Sequence, residues 1–434
     1  MFTQIRIEKL FGMFDYDIEL KSEDITILTG PNGYGKTTVL KIIDALASQN
    51  SLFFMTLLFQ KITCCLSDGK TITLMKMNKY EVEVIVNKDK PFRWNEKSLN
   101  RLIRSTFPHF RQVEEQKWLD RRTDNIVSLE GVLQKLASEH PELAEDFRTG
   151  NWTKQLKIPH VYFIREQRLL RPIVYNGASL RHKLRHRAVS FDIDESTNVF
   201  NNTIEEYAKE LSGKIEETLA KSTQVTQELD SSFPRRLFDQ EHGISEEEFN
   251  RRFNQVKEIQ KALSAYNISD IKEDSHPTYK DENAQALHVY INDTEKKLAV
   301  FKELLGKLKT FTSILNERRF AFKHIAISKE EGFQFFTDQD IPLALADLSS
   351  GEQQEVVLLY ELLFKVEPGT LVLIDEPELS LHIVWQKQFL DDMFDIIALQ
   401  KMNVVIATHS PQIINNHWDL TVDLEDLHNA EVSN

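Results

Sequence analysis

The sequence predicts an α/β fold in which a mixed sheet and an antiparallel β subdomain are split along the chain by a helical insertion. Three observations carry that expectation. A glycine-rich loop, Gly30-Pro31-Asn32-Gly33-Tyr34-Gly35-Lys36-Thr37, lies between a strand-like and a helix-like pattern. An apolar run, Leu371-Val372-Leu373-Ile374, ends far downstream in Asp375-Glu376. Helical patterning fills much of the interval between the two.

Taken in order, residues 4–8, 16–20 and 24–29 read as strands, the first by its Ile5-Arg6-Ile7 alternation and the third by Ile25-Thr26-Ile27-Leu28. Residues 36–47 then read as a helix, and residues 63–86 as antiparallel strands. A helical stretch at 129–147 precedes a strand at 158–164. Helical spacing resumes at 196–229 and is expected to stop at Ser232-Phe233-Pro234, because proline lacks a donor and fixes φ. Further helices are expected at 245–264 and 283–317, with no heptad series long enough for an extended coiled coil. Strands return at 319–328 and 333–336. A helix at 351–364, a strand at 370–374, a helix at 379–399, a strand at 403–407 and a short strand at 420–424 complete the order. The expected units are residues 1–175 and 318–434, two lobes of one nucleotide-binding head, and an insertion over residues 176–317.

Composition narrows the class. The chain has 434 residues, 41% apolar and 28% charged, as in a soluble globular protein. Its formal net charge of -14 argues against a uniformly basic nucleic-acid surface. A local basic run from Arg165 to Arg187, with Arg168, Arg171, Arg181, Lys183 and Arg185, is either a phosphate-contacting strip or a solvated loop. The start, MFTQIRIEKL, lacks the basic-then-apolar order of a secretory leader, and the apolar run from Ser51 to Phe59 is too short to span a bilayer. A cytoplasmic location without membrane contact is expected. Cys64 and Cys65, the two cysteines, are adjacent. They pair poorly, offer no metal-ligand spacing and read as reduced strand residues.

The loop matches G-x-x-x-x-G-K-[ST] in full, in the strand–loop–helix context the pattern requires. Its glycines let backbone N–H groups turn toward a β-phosphate at a helix N-terminus, where anionic charge is favoured. Gly30, Asn32, Gly33, Gly35, Lys36, Thr37 and Thr38 are therefore candidate nucleotide-binding residues, with Lys36 reaching the β- and γ-phosphates and Thr37 ligating Mg²⁺. Asp375 is a candidate for the Mg²⁺ shell. Glu376 is the candidate to orient or deprotonate an attacking water, which points to hydrolysis and not to binding alone. His409, in Thr408-His409-Ser410-Pro411 after the next strand, is placed to contact the γ-phosphate or that water. Gln167, in Glu166-Gln167-Arg168, is a candidate contact to Mg²⁺ or water that would connect the site to the insertion.

The set GPNGYGKTT, REQR, LSSGEQQ, LVLIDEPELSLH and ATHSP resembles the ATP-binding-cassette ATPases of the SMC and RecF branch. In style it is nearest to the small ATPases of bacterial antiphage defence, such as those of the Septu and PARIS systems. The resemblance implies a split ABC-type ATPase head that binds ATP with Mg²⁺ and hydrolyses it slowly, in a regulatory role. It also implies that Ser349 and Gly351, the signature serine and glycine, reach the γ-phosphate bound by an opposing protomer. A homo-oligomer of at least two heads follows. The signature departs from LSGGQ, since Ser350 stands at its third position and Glu352 at its last, where it is expected to cap or face the following helix. His382 replaces the aspartate common in transporters and looks like the defence-type ATPases.

No HNH, PD-(D/E)xK or Toprim pattern is legible, so the resemblance implies a separate nuclease effector of HNH or Toprim type. The alternative is a DNA-repair or chromosome-associated ATPase that binds DNA directly.

Overall fold

The computed structural model describes all residues other than 22–23, 88, 115–116, 130, 133–134, 136–157, 166–169, 173–199, 269–276 and 433–434. The chain opens with strands β1 (Phe2–Leu10), β2 (Phe14–Glu19) and β3 (Ile25–Thr29), followed by helices α1 (Lys36–Ser48) and α2 (Ser51–Thr56). Strands β4 (Lys61–Leu66), β5 (Thr71–Asn78), β6 (Glu81–Val86) and β7 (Phe92–Trp94) come next. Helix α3 (Glu96–Thr106) leads into β8 (Phe110–Glu114), β9 (Lys117–Asp120), β10 (Asn125–Ser128) and β11 (Val161–Ile164). After the short pair β12 (Leu170–Pro172) and β13 (Phe200–Asn202), the helical insertion comprises α4 (Thr203–Phe238), α5 (Glu246–Ala265), α6 (Ala284–Ala299) and α7 (Lys302–Ser313). The chain then runs through β14 (Lys323–Ser328), β15 (Gly332–Thr337), β16 (Pro342–Leu343), α8 (Ser350–Tyr360) and β17 (Leu371–Asp375). It closes with α9 (Ile383–Gln400), β18 (Asn403–Ala407), α10 (Pro411–Ile414), β19 (Thr421–Asp423) and α11 (Leu424–Val432).

A five-stranded parallel sheet in the order β11-β17-β18-β3-β19 joins the two ends of the chain. The head is therefore split in sequence and single in space. Every residue of β3 and β17 is buried, as expected of parallel strands covered on both faces. Ile25, Ile27, Val372, Ile374, Val404 and Ile406 pack into the core shared with the insertion and α8–α9. Leu28, Leu371, Leu373, Val405 and Ala407 pack on the other side with Val39, Ile42 and Ile43 of α1. That second core also takes in the antiparallel sheet β2-β1-β4-β5-β6-β7. The period-2 alternation of strands thus builds two cores from one sheet.

Two helical expectations need correction. Helix α4 does not stop at Pro234 but continues to Phe238. The turn around the proline is held by side-chain donors: Ser231 and Ser232 hydroxyls donate to the Glu228 carbonyl, and the Arg236 guanidinium donates to the Leu229 carbonyl. Arg236 also pairs with Asp293 on α6, fixing the helix end. The stretch expected as one helix at 283–317 is instead α6 and α7, parted at Val300–Phe301 and ending in a π turn at Ile314–Arg319. The expected helix at 351–364 likewise ends as a π turn at Glu361–Lys365. Most of the helix expected at 129–147 lies outside the described residues.

The insertion is seated firmly. The turn between β14 and β15 rests on α4, where the Ser212 hydroxyl donates to the Lys329 carbonyl at 2.6 Å. Gly332 at that turn has φ +73°, and a Cβ there would lie 1.9 Å from the Ala208 carbonyl oxygen. Among the described residues, no helix is long and apolar enough to cross a membrane.

Candidate nucleotide site

Strand β3 delivers the chain into the glycine loop, and α1 receives it. Gly30, Gly33 and Gly35 all adopt positive φ, a region that costs an L residue roughly 1–2 kcal/mol. At Gly35 the demand is also steric: a Cβ would meet Leu10 Cδ2 at 3.2 Å. The Lys36 side chain folds back over the loop, its Nζ donating to the Gly30 carbonyl at 2.8 Å and the Pro31 carbonyl at 3.3 Å. Asn32, Gly33, Gly35, Lys36, Thr37 and Thr38 line a cavity of about 270 Å³ together with Phe11 and Glu376.

The parallel sheet places the distant carboxylates here. Asp375 ends β17 buried, and the Thr37 hydroxyl donates to its Oδ1 at 2.9 Å. Glu376 follows in the left-handed region at φ 44°, ψ 59°. Its backbone N–H donates to the Ala407 carbonyl of β18 at 2.9 Å, which holds the strained residue against the neighbouring strand. Residues 377–380 then form a 3₁₀ turn, Pro377–Ser380, that folds Glu378 back toward the end of β18.

His409 lies beside both glutamates. Its Nδ1 stands 3.8 Å from Glu376 Oε1 and 3.0 Å from Glu378 Oε1. The imidazole is about half exposed, at 45%, whereas the Glu378 side chain is 5% exposed. The fold thus brings the candidates Lys36, Thr37, Asp375, Glu376 and His409 to one end of the parallel sheet.

The signature stands apart from that cavity: neither Ser349 nor Gly351 lines it. Ser349 is the N-cap of α8 in a capping box with Glu352. The Ser349 backbone N–H and hydroxyl both donate to Glu352 Oε2, at 2.8 and 2.9 Å. Lys323 of β14 donates to both oxygens of the same carboxylate. Burial pushes the Glu352 carboxyl up, but Lys323 and the Ser349 donors outweigh it and hold it below the usual glutamate range. The expectation that Glu352 caps the following helix is met. His382 caps α9, accepting from Val384 N–H through Nδ1 at 3.4 Å.

Gln167 lies outside the described residues, as does nearly all of the basic run. Arg165 is described, with its guanidinium over the Phe163 ring, and Arg171 falls in β12. Two residues escaped sequence reasoning: Phe11, which lines the cavity, and Glu378, which lies behind His409. Phe11 has φ 55° and sits in the tight β1–β2 turn, for which Phe11-Gly12 was the available signal. Glu378 reads in sequence as part of an acidic strand exit, and its signal was the carboxylate repeated two positions after Glu376.

Among solved structures, the chain is similar to the Smc head domain with an extended coiled coil bound to the C-terminal domain of ScpA, from Pyrococcus furiosus. The identity is 11%, the match covers 95% of this chain and 90% of that one, and the TM-score is 0.33. It is also similar to the SMC head domain from Thermotoga maritima, with 9% identity, 97% and 94% coverage and a TM-score of 0.33. No curated protein matches the sequence. The family model described as "AAA ATPase domain" matches residues 1–414, and the chain belongs to that family.

Proposed function

We propose that the chain binds and hydrolyses ATP with Mg²⁺ at the glycine-loop cavity, and that ATP closes two copies of the head together. The observation that carries the first half is the meeting of Thr37 and Asp375 across the sheet, 2.9 Å apart, beside Lys36 and Glu376. A hydroxyl and a carboxylate are oxygen donors suited to Mg²⁺. The bound ion would neutralise charge developing on the nucleotide's phosphates.

The chain's own residues supply the rest. The backbone N–H groups of Gly33 and Gly35 and the N-terminus of α1 receive phosphate oxygens. Lys36 exchanges the loop carbonyls it holds for phosphate oxygens, a stronger charge-assisted partner. Glu376, held in its strained conformation, orients or deprotonates the attacking water, and His409 lies beside it. Gln167 is proposed as a further contact to the ion or water.

The second half rests on the signature. Ser349 and Gly351 stand away from the cavity, at the N-terminus of α8, where a helix favours an anion. We read them as ligands for the γ-phosphate of a second copy. Residues 1–175 and 318–434 would then act as two lobes of one head, and 176–317 as its arm. The test is complementation between Lys36→Ala and Ser349→Arg protomers. Each is expected to be inactive alone, and mixing restores one intact composite site per heterodimer. Two folded variants that recover no phosphate release on mixing would refute the shared site.

On its motif resemblance, we further propose that head closure controls a separate nuclease in antiphage defence. Co-expression with a neighbouring nuclease gene and copurification tests this. Strong, salt-dependent binding of duplex DNA by the isolated chain would favour direct DNA binding instead.

A further inference from the structure

Glu378 is a buried carboxylate with its bonds concentrated on one oxygen. Oε1 accepts from the Thr408 hydroxyl at 2.7 Å and from the His409 backbone N–H at 2.8 Å, and lies 3.0 Å from His409 Nδ1. Oε2 is buried with no hydrogen-bond partner among the described residues. An unsatisfied buried acceptor costs roughly 1–3 kcal/mol. Oε1 is the acceptor for two donors at the end of β18, and an apolar side chain of similar size would leave both without it, so packing alone does not account for a glutamate. All three groups gathered on Oε1 belong to the Thr408-His409 step.

We propose that Glu378 is a positioning residue for His409. The inference rests on the reading of His409 as a group that meets the γ-phosphate or the attacking water. A carboxylate oxygen accepts and does not donate, so the nitrogen facing it must carry the proton. Glu378 therefore places the imidazole proton on Nδ1 and leaves Nε2 as the lone-pair nitrogen of the neutral ring. Nε2 then accepts a hydrogen bond from water. In a doubly protonated ring it donates to a phosphate oxygen, with Glu378 as the counter-charge.

A second consequence follows from the distances. Nδ1 has two carboxylates within reach, Glu378 at 3.0 Å and Glu376 at 3.8 Å. With Glu378 present, the imidazole proton goes to the nearer one, and Glu376 keeps its oxygens for the water. Without Glu378 the ring turns to Glu376 and occupies the carboxylate that handles the water. Glu378 thus separates two neighbouring functions that the fold has crowded together.

The test uses the full-length protein with Mg-ATP. Glu378→Gln is expected to lower kcat roughly 10- to 100-fold, the range found when partners that orient metal-bound histidines are removed. The KM for ATP should move by less than about twofold, since a group acting only on turnover leaves binding alone. His409→Ala should fall into the same range, and the double variant should be no slower than the slower single variant. In ¹⁵N-histidine spectra, assigned by the signal missing from His409→Ala, the wild type should show the Nδ1–H form, and Glu378→Met, which offers no acceptor, should lose it, whereas the amide oxygen of Glu378→Gln can still accept from Nδ1. Glu378→Asp, which keeps a carboxylate, should retain that form with intermediate kcat, and it serves if the neutral variants do not fold. Multiplicative losses in the double variant, or an unchanged tautomer in Glu378→Met, would overturn the inference alone. Wild-type turnover in His409→Ala would instead overturn the reading of the site beneath it.

Discussion

Replacing Arg319 by methionine should destabilise the protein severely, and the size of the loss follows from who is left behind. Arg319 ends the π turn after α7, with its side chain wholly buried. Its Nε donates to Glu355 of α8 at 2.8 Å, Nη1 donates to Gln388 of α9 at 3.0 Å, and Nη2 pairs with Asp392 of α9. Asp392 keeps a second cation, Arg318. Glu355, 1% exposed, has no other donor among the described residues. Arg319→Met therefore strands one buried carboxylate, which costs about 3–5 kcal/mol. Adding Glu355→Leu removes the stranded charge and should restore most of that loss, because a buried pair replaced by apolar groups is often close to neutral. Urea unfolding followed by circular dichroism, for wild type, both single variants and the double, measures the cycle. A single Arg319→Met variant within about 1 kcal/mol of wild type, or a double variant no better than the single, would refute the reasoning.

Lys36→Ala should abolish ATP binding, whereas Glu376→Gln should bind ATP and turn over slowly; equilibrium binding and phosphate release separate the two, and wild-type turnover in Glu376→Gln would remove its role. Gly332→Ala should cost about 1–2 kcal/mol for its positive φ and about 1–3 kcal/mol more for crowding the α4 backbone, read as a lowered Tm. Glu352→Gln should lose a pH-dependent increment of stability. The folded carboxyl titrates below its unfolded value of about 4.3, so the unfolded chain binds more protons in between. The difference between wild type and variant should be constant above about pH 5 and should close as the pH falls through the folded value. The same variant should also associate at a lower ATP concentration than wild type, measured by light scattering.

The strands of the central sheet were legible because their signals are local, although the sheet, expected as mixed, is parallel throughout. The β-rich run Ile25–Thr29 before Gly30 and the four apolar residues that precede Asp375 announce buried strands wherever their partners come from. What lay hidden depends on side-chain contacts and backbone conformations that residue type alone does not announce. Pro234 reads as a stop until Ser231, Ser232 and Arg236 are seen to hold the neighbouring carbonyls. The break between α6 and α7 is hidden because Val300 and Phe301 keep helical dihedrals and the apolar period runs on. Glu378 gains its meaning from the left-handed turn at Glu376, which no residue type there requires. Among candidate site residues, Lys36, Thr37, Asp375, Glu376 and His409 were placed by pattern, and Glu378 and Phe11 only by the fold.

The cap on α8 has a consequence for how such heads meet. Ser349 does not present an idle hydroxyl to an incoming phosphate; its hydroxyl and its N–H are already engaged by Glu352. Glu352 is in effect a tethered rival, an anion of the same sign as the ligand and permanently at the same helix end. If Ser349 receives the phosphate of a second copy as proposed, association would leave Glu352 to Lys323, which already holds both of its oxygens. Under that proposal a head built this way would have a threshold, because an incoming phosphate must outcompete the resident carboxylate. Residue 352 would then set the ATP level at which two copies commit to each other, independently of how tightly either one binds nucleotide alone.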